Sequence, residues 1–233
     1  MLDKRSNLPG ASSESVKGPP AAPMLMIQLD VLCIGFLERD ADGGLAQAHS
    51  TSTLIRADGR NIVVDASTEY MWPAVKTSFR QIGLFPEDVG TVVLTHTHSD
   101  HVGNLRRYPK AEVLVFSGGK TQIPGATVVE GDEFEVCPGV RMVRTPGHCT
   151  EEGAVFVEAD RRYAIAGDAV PLEANLREGK PPGICTDRRL AMESMERIRE
   201  FADVVVPGHG APFRVRRGRG GGSLERLKGR CLY

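Results

Sequence analysis

The segment from Thr95 to His101 places four potential metal ligands within six positions, directly after an apolar run, residues 92–94, that predicts a buried strand. Alternate residues of an extended segment point to the same side, so His96 and His98 are expected to reach one ion. Asp100 and His101 lie in the following turn and are expected to face a second ion. Imidazole and carboxylate ligands without a thiolate suit zinc, iron or manganese, and they leave an open position for water or substrate.

Three further candidate ligands follow apolar, strand-like runs later in the chain: His148, Asp168 and His209, each next to a glycine. Strand ends are rigid platforms for ligands carried on loops. Five of the six histidines therefore belong to one pattern, which is too concentrated for histidines that merely complete hydrogen bonds in a core. Only His49 falls outside the pattern, and we expect it to be a turn or surface histidine outside the site.

The order of these motifs resembles that of the metallo-β-lactamase superfamily of metallo-hydrolases, and the resemblance spans about residues 26–213. It implies an α/β fold, a four-layer αββα sandwich. It implies the following metal ligands: His96, His98 and His148 for the first ion, Asp100, His101 and His209 for the second, and Asp168 as a bridge. One departure is the stretch from Asp65 to Thr68, which reads Asp-Ala-Ser-Thr where the superfamily usually has Asp-Thr-Gly. Asp65 is expected to support the ligands from behind.

The implied cofactor is a pair of divalent metal ions, with zinc preferred over iron or manganese. Two ions roughly 3.5–4 Å apart make hydroxide available near neutral pH and polarise the oxygen of the bond under attack. A serine or cysteine nucleophile is then not required. Asp168 would hold the ions at that separation, and Asp100 is the best candidate for a catalytic residue that passes a proton to the leaving group.

Composition predicts a single catalytic domain, because 233 residues that are 41% hydrophobic and 25% charged are ordinary for one soluble globular core. Residues 1–23 are rich in Ser, Pro, Gly and charge and predict a disordered extension, residues 24–213 the hydrolase domain, and residues 214–233 a basic flexible tail. The apolar stretch 24–36 is too short to span a bilayer, so no membrane partner is expected. Five cysteines without paired spacing favour the cytoplasm. The oligomeric state is left open.

Apolar runs and turn signals place the expected elements. Strands are predicted at residues 26–36, 51–57, 61–65, 91–95, 111–116, 140–145, 153–159, 162–166 and 203–206. Helices are predicted at 70–82, with a core stripe of Trp72, Val75, Phe79 and Ile82, and at 187–201, with a stripe of Ala191, Met195 and Ile198. Cys149 is expected to be a small packed side chain. The segment 171–186 is compatible with either a substrate lid or a plain surface connection.

The predicted substrate is a small molecule, namely an ester, thioester, lactone or amide. Resemblance to the homoserine-lactone hydrolases of the superfamily would require a tyrosine three residues after Asp168, where this chain has Pro171, and this disfavours a lactone. His98 stands where the flavodiiron relatives carry a glutamate, which argues against reduction of oxygen or nitric oxide. The gap from Asp168 to His209 is too short for the extra domain of the RNA-processing β-CASP relatives.

The main alternative is a metal-dependent phosphodiesterase or RNA endonuclease, since the same metal pair attacks a phosphodiester as readily as an ester. Residues 214–233 hold seven Arg and Lys against one Glu, so this tail carries +6 while the remainder of the chain carries −7. Such a tail is a possible nucleic-acid contact, whereas an acidic body repels phosphate. A persulfide dioxygenase with one iron at His96, His148 and Asp168, and a non-catalytic RNA-binding module, are weaker alternatives.

Overall fold

The structure is a computed structural model that describes residues 26–118 and 123–215, together with the backbone of residues 224–226. Its strands are β1 (Gln28–Cys33), β2 (Phe36–Arg39), β3 (Leu45–His49), β4 (Ser52–Ala57), β5 (Arg60–Val64), β6 (Thr91–Val93), β7 (Glu112–Phe116), β8 (Thr127–Val129), β9 (Glu133–Cys137), β10 (Val140–Arg144), β11 (Gly153–Glu158), β12 (Arg162–Ile165), β13 (Val204–Val206), β14 (Phe213–Val215) and β15 (Leu224–Arg226). Its α-helices are α1 (Trp72–Gln81), α2 (Ser99–Val102), α3 (Glu173–Glu178) and α4 (Arg188–Phe201).

Two sheets form the centre of the molecule, and each is built from one half of the chain. The first sheet has the order β1-β4-β5-β6-β7-β8, and the second has the order β15-β14-β13-β12-β11-β10-β9. Strands β2 and β3 form a separate two-stranded ribbon. Strands β5, β6 and β7 are parallel, as are β12 and β13. The segments that follow β12 and β13 therefore leave the second sheet at the same edge.

Apolar side chains from facing sheets make the innermost layer of the core. Val64 and Val93 of the first sheet belong to one buried cluster with Met142, Val155 and Ile165 of the second. Such packing explains why these short strands are apolar on the facing side. The two sheets therefore lie face to face.

Helices cover the outer face of each sheet. Val75 and Phe79 of α1 pack with Val63 and Val92 of the first sheet, and Met195 and Ile198 of α4 pack with residues of the second sheet. The expected stripe of α4 is buried throughout, whereas Trp72 and Ile82 at the ends of α1 are only half-buried. The result is the αββα sandwich expected from the sequence.

The sequence reading differs from the structure mainly in short or polar elements. The predicted run 26–36 is broken, because β1 ends at Cys33 and the chain turns at Gly35 into the ribbon. A β-carbon at Gly35 would lie 2.2 Å from the carbonyl oxygen of His49, so only glycine allows this approach. Strands β8, β9 and β14 and helix α3 were not predicted, since they are short or, in β9, alternate with exposed glutamates.

The predicted domain boundaries remain expectations. Residues 1–23 and most of the basic tail lie outside the described residues. Strand β14 continues to Val215, two residues past the expected end of the domain at 213, and β15 pairs with it in antiparallel orientation. No helix in the described ranges is long and apolar enough to cross a membrane.

Candidate metal centre

The seven predicted ligands meet at one edge of the sandwich. His96, His98, Asp100 and His101 follow β6 and continue into α2, while the other three come from loops of the second sheet. Those loops lie between β10 and β11 for His148, after β12 for Asp168 and after β13 for His209. The side chains form three overlapping groups whose ligand atoms lie within 4.8 Å of one another.

In the first group, three imidazole nitrogens converge on one point. His98 Nδ1 lies 3.0 Å from His96 Nε2 and 3.0 Å from His148 Nε2. Burial lowers the pKa of His96 well below its usual value, and the neighbouring His101 lowers it further. Burial also lowers the pKa of His98, with His148 adding to the effect. Both rings are therefore held neutral, which is the form that binds a metal.

The second group contains Asp100, His101 and His209. Asp100 Oδ2 lies 3.6 Å from His101 Nε2 and 3.5 Å from His209 Nε2. Nε2 of His101 is completely buried and has no hydrogen-bond partner among the described residues. Burial lowers the pKa of His101, but the carboxylates of Asp65 and Asp168 outweigh it and raise that pKa well above the usual value. This environment is built for a positive charge.

Asp168 lies between the two groups and presents one oxygen to each. Its Oδ1 is 3.0 Å from His209 Nε2 and 3.6 Å from His101 Nε2, while its Oδ2 is 3.6 Å from His148 Nε2. Burial raises the pKa of Asp168, but hydrogen bonds from His101 and His209 outweigh it and lower that pKa well below the usual value. The carboxylate is therefore ionised and faces both histidine groups.

These residues fit a pair of divalent cations. Three imidazole nitrogens at mutual contact, a buried His101 nitrogen without a partner and an ionised carboxylate shared between the groups all require positive charge to be satisfied. The ligand set is nitrogen and oxygen only, as the sequence predicts, and it offers more donors than one ion needs.

Asp65 supports the site from behind. Its Oδ2 accepts from His101 Nδ1 at 2.8 Å and from the Thr95 hydroxyl at 2.8 Å, and its Oδ1 accepts from the Thr95 backbone amide at 2.8 Å. These contacts direct His101 Nε2 towards the site. Asp65 and Ser67 have φ values of 57° and 56°. Ser67 thus adopts the left-handed backbone that glycine favours, and its hydroxyl donates to the Ser50 carbonyl at 2.6 Å.

The expectation for His49 was wrong. It is buried at the end of β3, with its ring stacked on Tyr70 at a centroid distance of 4.8 Å and its Nδ1 2.6 Å from the Thr68 hydroxyl. Its carbonyl oxygen accepts from His209 Nδ1 at 2.9 Å, which orients that ligand. A backbone acceptor has no residue-type signature, so the sequence could not reveal this role.

Glu152 is a further residue at the site that the sequence reading missed. It is fully buried, its Oε1 lies 3.7 Å from His96 Nδ1, and the same oxygen accepts from the Ala169 amide at 2.9 Å. Burial and then the charge of Asp168 raise the pKa of Glu152 well above its usual value. A charged residue at the start of the apolar strand β11 was the available signal. Cys149 is buried as predicted, and burial raises the pKa of its thiol.

A cavity of about 440 Å³ opens over the ligands. Besides His98, Asp100, His148, Asp168 and His209, its lining residues are Leu37, Arg39, Leu45, Ala48, Pro171, Pro182, Gly183 and Ile184. The first four of these come from the β2–β3 ribbon and the last four from the segment 171–186. That segment is therefore a wall of the cavity, and its Ile184 carbonyl accepts from His148 Nδ1 at 2.7 Å.

Known proteins share these features over most of the chain. Residues 46–115 match the sequence profile of the metallo-beta-lactamase superfamily. Metallo-beta-lactamase domain-containing protein 1 of Xenopus laevis is 32% identical over 198 residues, which cover 79% of this chain and 80% of that protein. A protein of Methanocaldococcus jannaschii named "Probable metallo-hydrolase" is 31% identical over 183 residues, or 78% of this chain and 87% of that protein.

The fold also matches solved structures. AidC, a dizinc quorum-quenching lactonase in complex with a product, has a TM-score of 0.63 at 12% identity, and the match covers 78% of this chain and 80% of that one. The profile match includes the segment that carries His96, His98, Asp100 and His101, and the alignment with the Xenopus protein extends over most of both chains. The chain therefore belongs to the metallo-β-lactamase superfamily of metallo-hydrolases.

Proposed function

We propose that this metallo-hydrolase binds two divalent ions through the seven residues and cleaves a small ester, thioester, lactone or amide. The observation that carries the proposal is the position of Asp168, whose two carboxylate oxygens face separate histidine groups. A single-ion site would not need a carboxylate shared in this way. AidC is named as a dizinc enzyme, which supports zinc as the metal here.

When bound, the ions would supply a nucleophile from water near neutral pH and polarise the bond under attack. His96, His98 and His148 would hold one ion, and Asp100, His101 and His209 the other. Asp100 also lines the cavity and is only partly buried, so its carboxylate is available to pass a proton to the leaving group. Glu152, Asp65 and the His49 carbonyl hold ligands in place without reaching the cavity.

The walls of the cavity favour a small acyl compound. Leu37, Leu45, Pro171, Pro182 and Ile184 provide apolar surface over the ligands. A volume of about 440 Å³ lies within the range of roughly 300–1,000 Å³ that is usual for small-molecule sites. Among its lining residues only Arg39 carries a positive side chain, whereas a nuclease channel combines several cations with aromatic surfaces.

The test combines elemental analysis with a substrate panel. We expect two ions per chain and metal-dependent turnover of an ester, thioester, lactone or amide. Asp168→Ala should lower metal content and turnover together, since the two cations would face each other with less negative charge between them. Asp160→Ala, at an exposed turn position, should change neither.

Three results would contradict the proposal. One iron per chain with oxygen-dependent activity on persulfides would indicate a dioxygenase. Cleavage of RNA without turnover of any acyl compound would favour the nuclease alternative. Full metal content and activity in Asp168→Ala would remove that residue from the site.

A further inference from the structure

The β2–β3 ribbon presents two chemically different faces. Residues directly opposite in an antiparallel pair share a face, and Leu37 pairs with Ala48 and Arg39 with Leu45. These four side chains line the cavity. The other face carries the pair Phe36 and His49, whose rings are 4.7 Å apart and pack towards Tyr70. The aromatic face fixes the ribbon on the domain, so the cavity-facing side chains have a defined position.

Arg39 is the charged residue on an otherwise apolar face. Its Nη1 donates to the Gly43 carbonyl at 2.9 Å, which ties the guanidinium to the ribbon turn. In the parts of the chain that the structure describes, Arg39 forms no ion pair, and the nearby Asp40 uses Oδ1 to accept from the Asp42 and Gly44 amides. Most donors of an exposed, oriented guanidinium are thus directed to solvent beside the cavity.

Apolar surface connects Arg39 to the ligands on both sides of the cavity. Leu45 is 45% exposed and Ile184 is 65% exposed, although large apolar side chains are usually covered. They lie on opposite walls, the first from the ribbon and the second from the segment 171–186. A substrate with an apolar chain would cover both.

We propose that the substrate is an acyl compound with an apolar chain and a carboxylate, and that Arg39 binds the carboxylate while the scissile bond lies at the metal ligands. This inference rests on the proposed function and narrows it. Arg39 is then a specificity-determining residue. Guanidinium and carboxylate match in planar geometry, which makes arginine the usual partner for this group.

Two thioesters that differ only at one group test the inference: the hexanoyl thioesters of β-mercaptopropionate and of β-mercaptopropionamide. The wild-type, zinc-loaded protein should show a lower KM for the carboxylate compound. Arg39→Gln should raise that KM roughly 10- to 100-fold, as for loss of a charge-assisted hydrogen bond, with little change in kcat or in the kinetics of the amide. Arg39→Lys should lie between the two.

Arg161→Gln is the matched control, because it removes the same charge from an exposed turn outside the cavity. It should leave the preference intact across a salt series. Equal KM values for the two thioesters in the wild type, or an equal loss for both in Arg39→Gln, would overturn the inference.

A binding measurement separates this inference from the proposed function. Adipate has one more carboxylate than hexanoate, so calorimetry on the zinc-loaded protein should give adipate about tenfold higher affinity, as expected for one charge-assisted hydrogen bond. The difference should disappear in Arg39→Gln. No turnover of either thioester would count against the proposed function, while unchanged adipate preference in Arg39→Gln would refute the role of Arg39.

Discussion

At the scale of single residues, Asp65 shows how a side chain outside the ligand set determines what the ligands do. Its carboxylate holds His101 Nδ1 and both the amide and hydroxyl of Thr95, and it occupies an αL backbone position at the end of β5. Thr95 immediately precedes His96. One buried acid therefore fixes the start of the ligand segment and the orientation of a ligand in it.

Asp65→Asn should weaken metal binding about 10- to 100-fold, the usual cost of losing a residue that orients a ligand. Asparagine keeps an oxygen that accepts from the Thr95 amide, so the fold should be retained while the charge that favours His101 is lost. Titration with a competing chelator measures the affinity, and circular dichroism checks the fold. Asp58→Asn, at an exposed turn with φ 50°, is the control. Unaltered affinity in Asp65→Asn would show that Asp65 does not position the ligand.

At the scale of elements, helix α4 and the His148 loop hold each other. The Asp187 carboxylate caps the helix by accepting from the Leu190 amide at 3.0 Å. The backbone amides of Thr186 and Asp187 donate to the Gly147 carbonyl at 2.7 and 3.0 Å. A β-carbon on Gly147, where φ is 139°, would lie 2.3 Å from the Ala191 nitrogen. Glycine is therefore required where the loop meets the helix.

Asp187→Ala should lower the free energy of unfolding by about 1 kcal/mol, because the helix loses its N-cap. Asp187→Asn should stay close to the wild type, since asparagine caps equally well. Urea denaturation of the metal-free proteins measures both changes. Equal loss in the two variants would mean that the charge of Asp187, and not its capping bond, stabilises the helix.

The elements also show where sequence reasoning succeeds. The strands before the ligand loops and the stripe of α4 were predictable, because long apolar runs and a 3.6-residue period leave a clear pattern. The ribbon wall, Glu152 and the role of His49 were not. They depend on contacts between distant parts of the chain, such as the Thr51 amide donating to Gly208 at 2.7 Å, and on backbone atoms that every residue has. Local pattern carries no record of them.

At the scale of the whole molecule, charge is divided between the body and the C-terminal tail. If the protein acts on small substrates, replacing Arg216, Arg217 and Arg219 by Gln should leave turnover unchanged, since the last ligand is His209. Substitution is preferable to deletion of 216–233, because β15 pairs with β14. If the protein cleaves RNA, the same change should weaken binding and flatten its salt dependence by roughly 0.7–0.9 per lost phosphate contact. Thioester turnover and RNA affinity across a salt series measure both.

The division of the two sheets between consecutive halves of the chain affects how the enzyme is made. Strands β1 to β8 end at Val129, so the first sheet can be completed while the second is still being synthesised. At that stage the chain has His96 and His98 from one ligand group and Asp100 and His101 from the other, but neither group is complete. His148, Asp168 and His209 arrive only with the second sheet. A nascent chain would therefore have no intact metal centre, and hydrolytic activity would begin only after both halves have docked.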